Sequence, residues 1–425
     1  MRRAVIMLGL LCAASCARPL VPPGPFPAAA DPSRIAISVF LIGDAGEPAI
    51  PKEPVLEALS REIARDPRKS LVMILGDNVY PEGIDSLAGS PRREEQERRL
   101  RTQLDVLLTN HVRGIVIPGN HDWARHKPTG LSSIKAQEAF VEEYVTSYEK
   151  AHGMFSPLRD SATIQFLPRN GCPGPAVRDY GRDLRVIVLD TQWWLHPYEK
   201  PGTDQCKDQS GAEFVRSFRA HMANARGQRV LVVSHHPIET ASEHGGFFDW
   251  KAHLFPLTAA NNALWIPLPF LGSFYPMARM HGFTPQDLSS VEYCEMAATL
   301  DSAFTPTPPL LFASGHDHGL QVMKGGRTPY AVVSGGGRYK KENPVTRRRN
   351  TVFSLAAGGF MRLDIMKDDS PPRLGVFVVD SAGGAEEKFA MQLDDNVKAS
   401  GNPMPRCREQ PGGPAMSLEV PGRAY

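Results

Sequence analysis

Short apolar runs recur along this chain, and most break off at a glycine followed by residues able to bind metal. Ile35 to Ile42 ends in Gly43-Asp44-Ala45-Gly46, and Leu71 to Leu75 in Gly76-Asp77-Asn78-Val79-Tyr80. Ile115 to Pro118 leads into Gly119-Asn120-His121-Asp122-Trp123. Arg229 to Ser234 leads into His235-His236-Pro237, and Leu310 to Ala313 into Gly315-His316-Asp317-His318. Each run reads as a buried strand. A further strand, Leu184 to Asp190, ends in Thr191-Gln192-Trp193-Trp194, where Asp190 is expected to be a turn or cap residue.

Helical spacing lies between these runs. Val55, Leu59 and Ile63 share one face of a helix over Pro54 to Asp66, and Leu100, Leu104, Val106 and Leu107 stripe a charged helix over Pro91 to Asn110. Ser133 to Lys150 is a third helix. Ser210 to Glu213 forms a capping box that opens a fourth, with Phe214, Phe218 and Met222 on one face. Alternating strands and helices predict an α/β sheet with ligands at the C-terminal strand ends. Tyr330–Ser334, Val352–Ala356, Met361–Ile365 and Leu374–Val379 read as strands of a second sheet. Gly335-Gly336-Gly337 is a turn; no helix pattern or Gly-Lys-Ser/Thr follows to make it a phosphate cradle.

One stretch breaks the alternation. Residues 245–303 are rich in aromatics and prolines, as in Leu264-Trp265-Ile266-Pro267-Leu268-Pro269-Phe270. Proline recurs too often there for a membrane helix. The stretch reads as an insertion that packs over a site, and interfacial membrane contact is the sharper alternative.

Composition narrows the class without naming a function. A hydrophobic fraction of 42% and a charged fraction of 22% are those of a globular protein, and 425 residues suffice for a large core. A formal net charge of +2 gives no reason to expect a nucleic acid partner. The N-terminus adds a destination. Arg2 and Arg3 precede an apolar run, Ala4 to Ala14, that ends in the small residues Ser15-Cys16, the pattern of an export signal. Leu11 to Cys16 also resembles a bacterial lipoprotein box, so residues 1–16 are expected to be a signal peptide with Cys16 lipidated. Plain cleavage is the alternative. The chain is then exported, either periplasmic or at the cell surface, with a Pro/Ala-rich tether over 17–34 and a loose tail over 396–425. The body spans 35–395. Four further cysteines, Cys172, Cys206, Cys294 and Cys407, fit two disulfides in an oxidising compartment, with Cys172–Cys206 preferred; free thiols are the alternative.

Asp44, Asp77, Tyr80, Asn120, His235, His316 and His318 thus collect at strand ends. Oxygen donors mixed with imidazoles suit first-row transition ions better than calcium or magnesium. They outnumber the needs of one ion, and two ions sharing Asp77 could use nearly all of them. Paired ions of this kind hydrolyse phosphate esters.

The order Gly-Asp44-x-Gly, Gly-Asp77-Asn-x-Tyr80, Gly-Asn120-His121-Asp122, His235, Gly-His316-x-His318 resembles that of the calcineurin-like metallophosphoesterases. Tyr80, with Gly46 where many relatives carry histidine, resembles the purple acid phosphatase branch. Gly-His-Asp-His-x-Leu-Gln and Ser242-Glu243-His244-Gly245 resemble its small, animal-type members, from which the 245–303 insertion departs. The resemblance implies a four-layer αββα sandwich of two mixed β-sheets. It implies Asp44, Tyr80 and His318 on a first metal, iron(III). Asn120, His235 and His316 would hold a second, iron(II), zinc or manganese, with Asp77 bridging. His121 and His244 would meet the substrate phosphate and protonate the leaving group, and His236 would stand beside the ligands rather than among them. The implied reaction is hydrolysis of a small-molecule phosphate monoester by direct attack of metal-held hydroxide, without a phospho-enzyme. A phosphodiesterase and a non-catalytic surface binding protein on the same fold are the other readings.

Overall fold

A computed structural model describes residues 18–154, 162–207, 209–259, 263–368 and 370–400. Its strands are, in chain order, β1 (Ile35–Ile42), β2 (Ser70–Ile74), β3 (Arg113–Val116), β4 (Ile164–Phe166), β5 (Ala176–Tyr180), β6 (Leu184–Val188) and β7 (Arg229–Val233), then β8 (Leu311–Ser314), β9 (Leu320–Lys324), β10 (Tyr330–Ser334), β11 (Thr351–Leu355), β12 (Gly359–Met366), β13 (Arg373–Val379) and β14 (Ala385–Gln392). They form two seven-stranded sheets, ordered β14-β13-β12-β1-β2-β3-β4 and β11-β9-β10-β8-β7-β6-β5. Both are mixed: β1, β2, β3 and β4 run parallel, as do β6, β7, β8 and β10, while β12, β13 and β14 on one side of the first sheet, and β9 and β11 on one side and β5 on the other side of the second, pair antiparallel.

Strict alternation along each central strand decides the layers. Val39, Leu41, Leu71 and Met73 of the first sheet interlock with Val186, Leu231, Val233 and Leu311 of the second in one buried cluster. The intervening residues face outward. Phe40, Ile42, Val72 and Ile74 meet Val55, Leu59, Leu100, Leu104 and Ile134 from the helices Pro54–Ile63, Arg93–Thr109 and Gly130–Ala151. On the far side Ile187, Val232 and Phe312 meet Phe214 and Phe218 of the helix Gly211–Ala223, with Met296 and Leu300 of the helix Val291–Phe304. Strands covered on both faces read as continuous apolar runs, as seen here. The fold is the expected four-layer αββα sandwich. The Ser210 capping box is present, with Ser210 Oγ accepting from the Glu213 N–H at 3.2 Å and Glu213 Oε2 from the Ser210 N–H at 3.1 Å.

Three expectations need correction. The late strands do not all join the second sheet: β10 and β11 do, but β12, β13 and β14 return to the first, where β12 lies antiparallel to β1. The insertion ends before 303, because Val291–Phe304 is a helix of the outer layer. Tyr293, Met296, Ala297, Leu300 and Phe304 form its buried stripe. The Pro/Ala-rich segment is docked rather than free: Leu20 bridges Ser354, and the Phe26 ring lies 5.4 Å from that of Phe389. Cys172 and Cys206 are joined, as preferred, and Cys294 is also disulfide-bonded. Cys12, Cys16, Cys407 and the tail beyond Ser400 lie outside the described residues. Among those residues no helix is long and apolar enough to cross a membrane.

Candidate metal centre

Parallel pairing of β1, β2 and β3, and of β7 and β8, delivers five C-terminal ends to one edge of the sandwich. The chain turns sharply there. Asp44, Asp77 and His316 all have left-handed backbones, with φ of 63°, 54° and 71°, a region unfavourable for residues bearing a β-carbon. Cross-links between the loops hold these turns. The Asp44 N–H donates to Gly76 O at 3.0 Å, the His316 N–H to Asp44 Oδ2 at 2.9 Å, and the His121 N–H to Asp77 Oδ1 at 2.9 Å. Close approach demands glycine at two points. A β-carbon on Gly119 would stand 2.3 Å from Asp77 Oδ1, and one on Gly76 would stand 2.6 Å from His235 Nδ1.

The side chains fall into two groups of donor atoms. In the first, the Tyr80 hydroxyl lies 3.1 Å from Asp44 Oδ1, 3.2 Å from Asp77 Oδ2 and 3.0 Å from His318 Nε2. His318 Nε2 is 3.5 Å from Asp44 Oδ1. In the second, His235 Nε2 lies 3.0 Å from Asn120 Oδ1, 3.2 Å from His316 Nδ1 and 3.4 Å from Asp77 Oδ1. His316 Nδ1 and Asn120 Oδ1 are 3.1 Å apart. Asp77 therefore gives one oxygen to each group. Ligands about 2.1 Å from a tetrahedral ion are separated by roughly 3.4 Å, and octahedral neighbours by less. Both groups match that spacing, and the Asp/His chemistry fits a dinuclear metal site.

Hydrogen bonds aim the imidazoles. His235 Nδ1 donates to Leu75 O at 2.8 Å and His318 Nδ1 to Lys341 O at 3.0 Å, leaving each Nε2 lone pair toward its group. His316 is reversed. Its Nδ1 faces Asn120 and His235, and its buried Nε2 has no hydrogen-bond partner among the described residues.

The electrostatics are those of a site that wants cations. Burial, then the Asp44 and Asp77 carboxylates, push the Tyr80 phenol well above its ordinary pKa. A phenolate there needs a strongly Lewis-acidic ion beside it. Burial works against the Asp77 carboxylate, but His235 and His121 outweigh it and hold its pKa low, at about 2.

His121 and His244 flank the donor groups. His121 is held by Nδ1 against Pro81 O at 2.6 Å, with its ring 4.3 Å from that of Tyr80 and Nε2 3.8 Å from Asp77 Oδ2. The His244 ring lies 4.0 Å from that of His316. His236 is buried beside them, its ring nitrogens held by Thr191 Oγ1 at 2.8 Å and Gln286 Oε1 at 2.7 Å. All nine residues singled out in the sequence are thus in one place.

A family model for calcineurin-like phosphoesterases matches residues 37–266. The chain belongs to this family. No curated protein sequence matches this phosphoesterase. A solved structure described as "GAP50 the anchor in the inner membrane complex of Plasmodium" has the same fold, with a TM-score of 0.50, 12% identity and coverage of 86% of this chain and 90% of that one. A dimetal phosphatase from Danio rerio (TM-score 0.39, 13% identity, 85% and 100% coverage) and PhoD (0.46, 13%, 89% and 74%) are also similar.

The sequence left several supporting residues of this phosphoesterase without a role. Asp122, fully buried, accepts from the Gly119 N–H at 2.7 Å, the Asn78 and Val79 N–H groups at 3.0 and 3.1 Å, and the Asn78 side chain at 3.0 Å. It ties the loop carrying Asp77 to the loop carrying Asn120, and its place in the Gly-Asn-His-Asp motif was the available signal. Arg338 covers the Tyr80 ring at 4.2 Å and pairs with Glu47 at 2.5 Å. Arg279, from the insertion, donates to Asp287 at 2.6 Å and reaches His244 Nδ1 at 3.1 Å. Nothing in local sequence pattern pointed to either arginine.

Proposed function

We propose that this phosphoesterase is an exported, dinuclear-metal phosphomonoesterase of the purple acid phosphatase type. One observation carries the reading: the two oxygens of Asp77 serve two separate donor groups, one of which contains a phenol. Asp44, Tyr80 and His318 would hold iron(III) with Asp77, because a phenolate favours a trivalent ion. Asn120, His235 and His316 would hold iron(II), zinc or manganese on the other oxygen. When bound, the pair would polarise a phosphate ester and lower the pKa of water for in-line attack.

The chain's own residues do the rest. His121 is oriented by Pro81 O so that Nε2 is free to meet the phosphate and supply a proton to the departing alkoxide. His244, stacked on His316, is placed to bind the same phosphate from the other side of the donor set. Arg338 over the Tyr80 ring stabilises negative charge on the phenol. The Cys172–Cys206 bridge and the signal-like N-terminus support an extracytoplasmic site of action, with attachment through a lipidated Cys16.

Metal analysis and a visible spectrum on the purified protein test the reading first, followed by a chromogenic monoester assay from acid to neutral pH. The expected result is two metals per chain including iron, with a purple phenolate-to-iron(III) band that Tyr80→Phe abolishes. His121→Ala should lower turnover by about 10²–10⁴-fold while the metal content stays unchanged. A colourless two-metal protein would remove iron(III) from the first site. Activity confined to diesters would overturn the substrate class.

A further inference from the structure

The insertion exposes apolar side chains that the site does not use. Of the sixteen large hydrophobic side chains exposed among the described residues, eleven fall between Trp250 and Phe283. Scattered exposed apolar residues are ordinary, but crowding of this kind marks a contact surface. The helix Phe274–Met280 shows how the surface is made. Pro276 and Arg279 face the body, while Phe274 and Met277, one turn apart, face outward at 68% and 50% exposure. Phe270 and Phe283, on either side of it, are 73% and 74% exposed.

Charge and chain placement choose the occupant. Between 247 and 283 the sequence holds a single acidic residue, Asp249, whose side chain caps the Ala252 N–H, while Lys251 is exposed and cationic and Arg279 is buried against Asp287. Beside the insertion's root, Arg18, Arg347 and Arg349 are exposed. The Arg18 N–H donates to Thr346 Oγ1 at 3.1 Å, and the Thr346 N–H donates to Ala241 O at 2.9 Å, just ahead of the insertion. The neighbouring Arg348 lies 5.5 Å from the Phe247 ring, and Gly246 packs on Met280. Arg18 therefore meets the body on the side from which the apolar surface grows. Exposed aromatics rimmed by cations suit an anionic bilayer surface.

We propose that residues 247–259 and 263–283 form an interfacial docking surface that rests on an anionic lipid bilayer. It inserts side chains without spanning, beside the root of the loop that carries His244. The surface stands independently of the assigned reaction, and lipidation of Cys16 would hold it in place rather than create it.

The N-terminal apolar run can itself hold the chain to vesicles, so the deciding readout is local. The full chain is mixed with phosphatidylglycerol/phosphatidylcholine vesicles brominated in the acyl chains, which quench tryptophan on contact. Trp250 and Trp265 are exposed in the surface, whereas Trp123 and Trp193 are buried. Emission should fall on binding, and a Trp250→Phe/Trp265→Phe variant should lose that fall. A variant carrying Phe270→Ser, Phe274→Ser and Phe283→Ser, all at exposed positions, should keep its fold and lose the quenching. Salt should weaken the effect. Unquenched Trp265 in vesicle-bound protein would overturn the proposal. So would a lipid-free dimer, seen by sedimentation and dispersed by the serine variant, which would make a second copy the partner.

Discussion

Asp122 shows how one buried carboxylate can organise two metal-binding loops without touching the donor groups. Burial, and then the neighbouring Asp77, push its pKa up, and the N–H groups of Gly119, Asn78 and Val79 oppose them. Truncation would leave those donors buried and unpaired, each at a cost of about 1–3 kcal/mol. Asp122→Ala is therefore expected to destabilise the protein by about 3 kcal/mol or more in chemical denaturation, and to lower its metal content. An unchanged midpoint with full metal loading would show that water replaces the carboxylate. The residue types at the donor positions were legible in the sequence, since each follows an apolar run at short range. Which nitrogen each histidine presents was not: it depends on carbonyls such as Leu75 O and Lys341 O, the first of them 160 residues from its imidazole.

At the scale of elements, the loops after β2 and β3 matter more than the strands they follow. Gly119 lets Asp77 approach the β3 loop so closely that any side chain would displace a carboxylate oxygen. Gly119→Ala is expected to keep the far-ultraviolet circular dichroism of the native protein but to abolish stoichiometric metal binding. Overpacking should lower stability by about 1–3 kcal/mol. Full metal content in that variant would mean the β3 loop yields more readily than its hydrogen bonds imply. The helix Val291–Phe304 carries a different lesson. Its buried stripe has ordinary helical spacing, yet it directly follows a proline- and aromatic-rich segment and was absorbed into it. Pattern alone does not mark where an insertion returns to the layers of a fold.

The whole molecule is held by contacts between distant parts of the chain. The Cys172–Cys206 bridge closes a loop containing β5 and β6, with a sequence separation of 34. On a chain-entropy estimate, replacing both cysteines by serine should cost about 3–4 kcal/mol. The measurement is the denaturation midpoint with and without reductant: wild type should shift under reduction by more than the double variant, which keeps the disulfide of Cys294. A wild type insensitive to reductant would assign its stability to the two-sided core.

The central strands that carry the site, the alternation of strand and helix, and the types of residue at the donor positions could all be read along the chain, because burial of a strand and the turn after it are local properties. Pairing is not local. Nothing in β12 says that it will lie against β1, some 320 residues earlier, because an apolar strand specifies that it must be covered and not by what. The same holds for the nitrogen that each histidine presents to the donor groups and for the outward face of Phe274–Met280. Each depends on which surfaces meet when two sheets and their helices close on one another, and that choice is made by packing.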